Sequence, residues 1–232
     1  MTAPVRAYVE DARRQKLAEL RERGIEPFPY GFERTHTTTQ AVAEFGTNDP
    51  VTVRVAGRIA ALRPHGKTTF GHVQDHEGRL QFMARKDELG DDVYQLLKLF
   101  DLGDHIGIEG VMFATKTGET SVRVQSIQLL AKALRPLPMG KEDAEGVQRG
   151  ALTDPETRYR ERYADLAVHA ETRDVFRIRA QTISFLREFL DARGYVEVET
   201  PVLQPLYGGA LTNLISPAAQ SQTRRDGRQN EE

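Results

Sequence analysis

Between Val51 and Ala131 the chain reads as five short runs of strand-like residues broken once by a helical repeat, and few folds accept that order. Val51, Val53 and Val55 fall on one side of a strand, Gly57 interrupts it, and Ile59 and Leu62 carry it on. Thr68 to Gln74 forms a second run and Arg79 to Ala84 a third, joined through the turn residues Asp75-His76-Glu77-Gly78. The period then changes over Asp87 to Phe100, where Leu89, Val93, Leu96, Leu97 and Phe100 recur at helical spacing and predict a helix. Two more strands follow, Ile106 to Thr115 and Ser121 to Leu130, hinged at Lys116-Thr117-Gly118-Glu119.

Three strands, a helix and two strands is the order of the five-stranded OB-fold, a small Greek-key barrel that binds single-stranded nucleic acid. Gly57 and Gly110, inside strands, mark the sharp bends that closing a barrel requires. Another small α+β fold would share the order. Ahead of the barrel, Val5 to Arg23 predicts a helix with Val5, Ala12, Leu17 and Leu20 towards one side, stopped by Gly24. The connector Gly24 to Phe32 carries Pro27, Pro29 and Gly31.

Behind the barrel, Leu134-Arg135-Pro136-Leu137-Pro138 closes it, and Met139 to Gly150 reads as a linker. Thr153 or Asp154 caps a helix with Pro155 in its first turn, and that helix carries Arg158 to Leu166. A longer helix, Glu171 to Arg193, presents Phe176, Ile183, Leu186 and Leu190 as one stripe. Gly194 ends it, Val196 and Val198 alternate as a short strand over Tyr195 to Thr200, and Pro201 closes that strand. Leu211 to Glu232 is polar and reads as disordered. The divisions are therefore 1–50, 51–135, 136–152, 153–210 and 211–232.

Composition limits the partners. The formal net charge of the 232 residues is -2, so no global basic field draws nucleic acid, and any RNA contact must come from local placement of cations and aromatics. There is no cysteine, which excludes disulfides and thiolate zinc sites. No apolar run approaches membrane-spanning length, and the charged N-terminus lacks the apolar core of a signal peptide. A cytoplasmic protein without a membrane partner is the expectation.

A long helix, a Gly stop, a short strand and a Pro together resemble motif 1 of the class II aminoacyl-tRNA synthetases. With Gln204 and Gly208-Gly209-Ala210 just beyond, the wording is most similar to lysyl-tRNA synthetase. The resemblance runs from about Gly24 to Ala210 and covers the barrel, Pro27-Phe28-Pro29-Tyr30 and the Arg158 to Leu166 segment. Aspartyl- and asparaginyl-tRNA synthetases share the barrel, but the stretches behind it suit the lysyl enzyme better. The implied fold is an OB barrel with an N-terminal helix, followed by the incomplete class II catalytic domain represented by the motif 1 helix and strand.

The resemblance also implies site residues. The family stacks the central anticodon uridine on a phenylalanine of the second strand. It reads that base with a glutamine of the third strand, a glutamate of the turn between the last two strands and a nearby arginine. The matching positions are Phe70, Gln81, Glu119 and, after Gly57, Arg58. Phe82 is left to the core. The types suit the task, because uracil offers two carbonyl acceptors and one N–H donor, and a carboxylate near phosphates is useful only if it meets a base N–H. Gly208, Gly209 and Ala210 resemble the start of the family's amino-acid-binding loop.

The family joins lysine to its tRNA using ATP and Mg²⁺ through a lysyl-adenylate, with an Arg-x-Glu on a strand holding the α-phosphate. No apolar strand of this chain ends in Arg-x-Glu. His72 and His76 lack a third ligand nearby, so no metal site is expected. The expectation is a truncated lysyl-tRNA synthetase that binds the lysine-specific tRNA through its anticodon and lacks the catalytic motifs. The expected protein partner is a second copy, as a homodimer through motif 1, or a separately encoded C-terminal half. A free-standing RNA-binding module is the alternative.

Overall fold

A computed structural model describes residues 3–46, 50–142 and 148–200. The chain divides into two compact units, Met1–Asp174 and Val175–Glu232.

The first unit is built on a closed barrel of β1 (Thr52–His65), β2 (Thr68–Gln74), β3 (Arg79–Arg85), β4 (His105–Ala114) and β5 (Thr120–Ala131), hydrogen-bonded in the order β1-β2-β3-β5-β4. All pairs are antiparallel except β3 with β5, which closes the barrel in parallel from Gln81↔Ser121 to Met83↔Arg123. The apolar residue of each alternation points inward, so Val53, Val55, Ile59, Val73, Ile106 and Ile108 are fully buried and Phe82 is the largest of the buried side chains. Gly110 meets its expected role: a Cβ there would lie 2.0 Å from the carbonyl oxygen of Arg123, so only glycine lets β4 bend against β5.

Of the register shifts in the barrel, one at the start of β4 falls between His105 and Ile106, and two lie within strands. In β1 the register against β2 shifts between Ile59 and Ala61, and in β4 against β5 it shifts between Glu109 and Gly110. Beyond the first shift Ala61, Arg63 and His65 replace the even-numbered residues on the outside, opposite His72, Phe70 and Thr68.

The N-terminal helix α1 (Ala3–Glu22) ends just before Gly24, which has a φ of +72°. It buries Leu17 and Leu20 and anchors through Arg13, whose guanidinium donates to the carbonyls of Ala133 and Leu102. Between the connector and β1 the structure adds a second helix, α2 (Thr38–Phe45). The Thr37 side chain and Gln40 complete a capping box at its start, and Asp75 accepts from both the backbone N–H and the hydroxyl of Thr38.

Several expectations are corrected. The predicted helix over Asp87 to Phe100 is three short pieces: α3 (Lys86–Leu89), α4 (Asp91–Leu96) and a 3₁₀ turn at Leu97–Leu99. Gly90, at φ +79°, separates the first two. The expected linker contains a hairpin, β6 (Met139–Glu142) with β7 (Gln148–Ala151). The Arg158 to Leu166 helix is split at Glu161 into α5 (Pro155–Arg160), capped by Asp154, and α6 (Arg162–Val168).

The long helix α7 (Ala170–Asp191) is as predicted. After Gly194 the residues Tyr195 to Thr200 form no strand. A strand needs a ladder partner, and the second unit offers none among the described residues. Gln204, Gly208, Gly209, Ala210 and the polar tail lie outside the described residues.

Candidate nucleic-acid interface

Alternation along β2 and β3 decides which side chains face outward. With Thr69, Gly71 and Val73 buried, Phe70 and His72 lie on the outer face, and on β3 the inward Leu80 and Phe82 leave Gln81 and Met83 on the outer side, where neighbouring side chains cover Gln81 to 9% exposure. The two aromatics, which only the resemblance told apart, differ in burial. Phe82 is core and Phe70 is a partly exposed surface ring.

Register then gathers the outer residues into rows. One row runs Ala61, His72, Gln81, Ser121 and Phe113 across β1, β2, β3, β5 and β4. The next runs Arg63, Phe70, Met83, Arg123 and Val111. Adjacent strands are about 4.8 Å apart, so Phe70 and Gln81, diagonal neighbours, fit within the footprint of one nucleobase and its sugar. The β4–β5 turn brings Glu119 to the same place: its carboxylate Oε1 lies 3.2 Å from Nε2 of His72. Glu119 is half exposed, and the turn is braced by Thr115, whose hydroxyl accepts from the Glu119 N–H and contacts Thr117 at 3.0 Å.

Beneath this rim the hydrogen bonds have a fixed sense. The Gln81 amide donates to the Ser121 hydroxyl at 2.8 Å, and that hydroxyl gives its single hydrogen to the Glu119 carbonyl. Ser121 must therefore accept from Gln81, which leaves the Gln81 carbonyl and one N–H for a ligand. Flanking them, the Arg123 guanidinium lies over the Phe113 ring at 5.5 Å.

Three of the four predicted residues, Phe70, Gln81 and Glu119, are brought together. Arg58 is not with them. It faces outward between Gln74 and His105, about 13 Å along the sheet from the Phe70 row at four strand residues, and its Nη1 donates to the Gly103 carbonyl at 2.8 Å. Burial holds its guanidinium pKa below the ordinary value, against the opposing charge of Asp104. The arginine opposite Phe70 is Arg63, exposed on β1. Only the register shift at Ala60 puts it there, a signal that residue counting along β1 does not contain.

The Arg158 to Leu166 segment is occupied with structure. Arg158, Arg162 and His169 converge on the buried Asp165, with Nε of Arg158 at 2.7 Å and Nδ1 of His169 at 2.8 Å. Among the described residues no cluster of three or more metal-ligating side chains occurs, and none of the helices is long and apolar enough to cross a membrane.

Residues 53–130 match the family described as OB-fold nucleic acid binding domain, and residues 154–219 match tRNA synthetases class II (D, K and N). Similar proteins include the lysine–tRNA ligases of Carboxydothermus hydrogenoformans (48% identical over 85% of this chain and 39% of the relative) and Moorella thermoacetica (46%, over 85% and 39%). That of Enterococcus faecalis is 44% identical over 90% of this chain and 43% of its own length. The chain spans about two fifths of the length of the curated relatives it matches. Over this shared region the chain belongs to the lysyl-tRNA synthetase family, with an OB-fold domain followed by part of a class II synthetase domain.

Proposed function

We propose that this chain supplies the anticodon-binding part of a lysine–tRNA ligase and that its β2–β3 face reads the central uridine of the lysine anticodon. The observation that carries the reading is the convergence of Phe70, Gln81 and Glu119 on one outer face, from two strands and a turn far apart in sequence. Phe70 offers the stacking ring, worth about 1–3 kcal/mol per base. The Glu119 carboxylate accepts from uracil N3–H. Cytosine presents an unprotonated N3 and an amino group in that place, so it meets the carboxylate with a lone pair instead of a hydrogen. The free N–H of Gln81 serves a uracil carbonyl. Arg63, rather than Arg58, is the cation beside the stacked base, where it meets a carbonyl or the adjoining phosphate.

In this reading the tRNA is the lysine isoacceptor, the enzyme acts in the cytoplasm, and ATP and Mg²⁺ serve the catalytic half of the family. Among the described residues no group of three or more His, Asp or Glu side chains is placed to hold a metal ion, and no catalytic step is assigned to them. The 232 residues are expected to bind the anticodon without activating lysine. On α7 the predicted stripe is exposed, with Phe176, Ile183, Leu186 and Leu190 between 42% and 52% accessible, and such a face favours self-association into a homodimer.

The test is a binding series with a lysine anticodon stem-loop at matched salt. Phe70→Ala should weaken binding by about 1–3 kcal/mol, roughly fivefold to 150-fold. Arg58→Ala should leave affinity within about twofold while Arg63→Ala lowers it about fivefold or more, as expected for a charge-assisted contact. Parent-like binding by Phe70→Ala would overturn the site.

A further inference from the structure

We infer that His72 is a positioning residue for anticodon recognition, holding the Glu119 carboxylate so that one of its oxygens is committed to the protein and the other is presented to the base. The inference rests on the reading of the β2–β3 face as the uridine site.

Glu119 stands on a turn and is half exposed, and its side chain has three rotatable bonds. The brace from Thr115 fixes the backbone of the turn and not the carboxylate. His72 is the cross-strand partner of Gln81 on the same outer row, and its ring is three-quarters covered, so it has a fixed place from which to reach Glu119. The contact is Nε2 to Oε1 at 3.2 Å. A carboxylate only accepts, so the hydrogen of this bond belongs to Nε2 of His72. Oε2 is left for the N3–H of the base.

Gln81 is treated alike: Ser121 takes one of its N–H groups and leaves the other. Each reader is thus held by a partner that is not itself the reader. Discrimination of uracil from cytosine depends on meeting an acceptor at a defined point, so a carboxylate free to rotate would still attract cations but would discriminate less.

Glutamine places its Nε2 where that of histidine lies, whereas asparagine reproduces only the Nδ1 side. Binding of the full chain to two stem-loops, with uridine or cytidine at the central anticodon position, should therefore sort the variants. His72→Asn and His72→Ala should each lose about threefold to tenfold of the uridine-over-cytidine preference, the range expected for one ordinary, partly exposed hydrogen bond. His72→Gln should keep the preference within about twofold, a rescue that a purely structural role of the ring would not give. In a Glu119→Gln background, itself less selective, His72→Asn should add no further loss.

If Glu119→Gln lowers the preference and His72→Asn does not, or if the two losses add in full, the positioning role is wrong while the uridine site stands. If Glu119→Gln leaves the preference intact, the underlying reading of the face fails first.

Discussion

Lys132 provides the severest test of how the barrel is tied to the segment that follows it. Its side chain is fully buried, as is that of Asp104, and its ammonium donates to Asp104 at 2.8 Å and to Asp101. Asp104 also accepts from the backbone N–H groups of Asp101 and Ala133, so one carboxylate joins the 3₁₀–β4 loop to the end of β5. Lys132→Met keeps the length and apolar stem of the side chain but leaves one fully buried and one mostly buried carboxylate without their shared cation. Removing one partner of a buried pair costs about 3–5 kcal/mol. With a urea slope of about 2 kcal/mol per molar, the unfolding midpoint should fall by roughly 2 M. Lys16, on α1, bonds the same Asp101 at 2.6 Å but is nearly one-third exposed, so Lys16→Met should cost no more than about 1 kcal/mol. Urea unfolding of the full chain, followed by far-UV circular dichroism, reads both variants. A midpoint change below about 0.5 M for Lys132→Met, or equal changes for the two lysines, would refute the buried-network reasoning.

Three further outcomes follow from the same geometry. Gly110→Ala should unfold the barrel or lower its midpoint sharply, because the new methyl carbon meets backbone and not a movable side chain, and thermal melting checks this. Stability should fall with acid in two steps. Burial, aided by the Arg58 charge, holds His105 below its ordinary pKa, so the unfolded chain takes up that proton first and stability is lost as pH drops from about 6.5 towards the folded value. For Asp101, burial works upward but hydrogen bonds from Lys132 and Lys16 outweigh it; the pKa is lowered, and this contribution is present above about 3.9 and lost as pH falls through the folded value. His105→Gln should remove the upper step from a pH series of urea midpoints. Finally, the 232 residues alone should show no lysine-dependent exchange of pyrophosphate into ATP above a no-enzyme control, and exchange would show activation chemistry that these residues are not expected to hold.

The barrel was legible because its alternation is strict: Val53, Val55 and Val73 announce an inward face, and Gly110 announces a bend that only glycine permits. Alternation alone left both Phe70 and Phe82 open as core; Phe70, like Gln81 and Glu119, was picked out only from its context within a resemblance. Arg63 was not legible, since an extra residue at Ala60 reverses the parity of β1 and no composition signal reports such a bulge. The helix α2 was announced by Thr37 and Gln40 at capping-box spacing, a cue that was there to use. Val196 and Val198 show the opposite error. Local alternation proposes a strand, but a strand exists only with a partner, and partners are tertiary facts.

The most direct measurement of the central claim is the affinity of the unmodified chain for two anticodon stem-loops that differ only at the central base, at one salt concentration. With Glu119 accepting from N3–H and Gln81 donating to a carbonyl, uridine should bind at least about tenfold tighter than cytidine, the equivalent of about 1.4 kcal/mol. Equal affinity for the two would contradict the account, because it would mean that this face holds RNA without reading it.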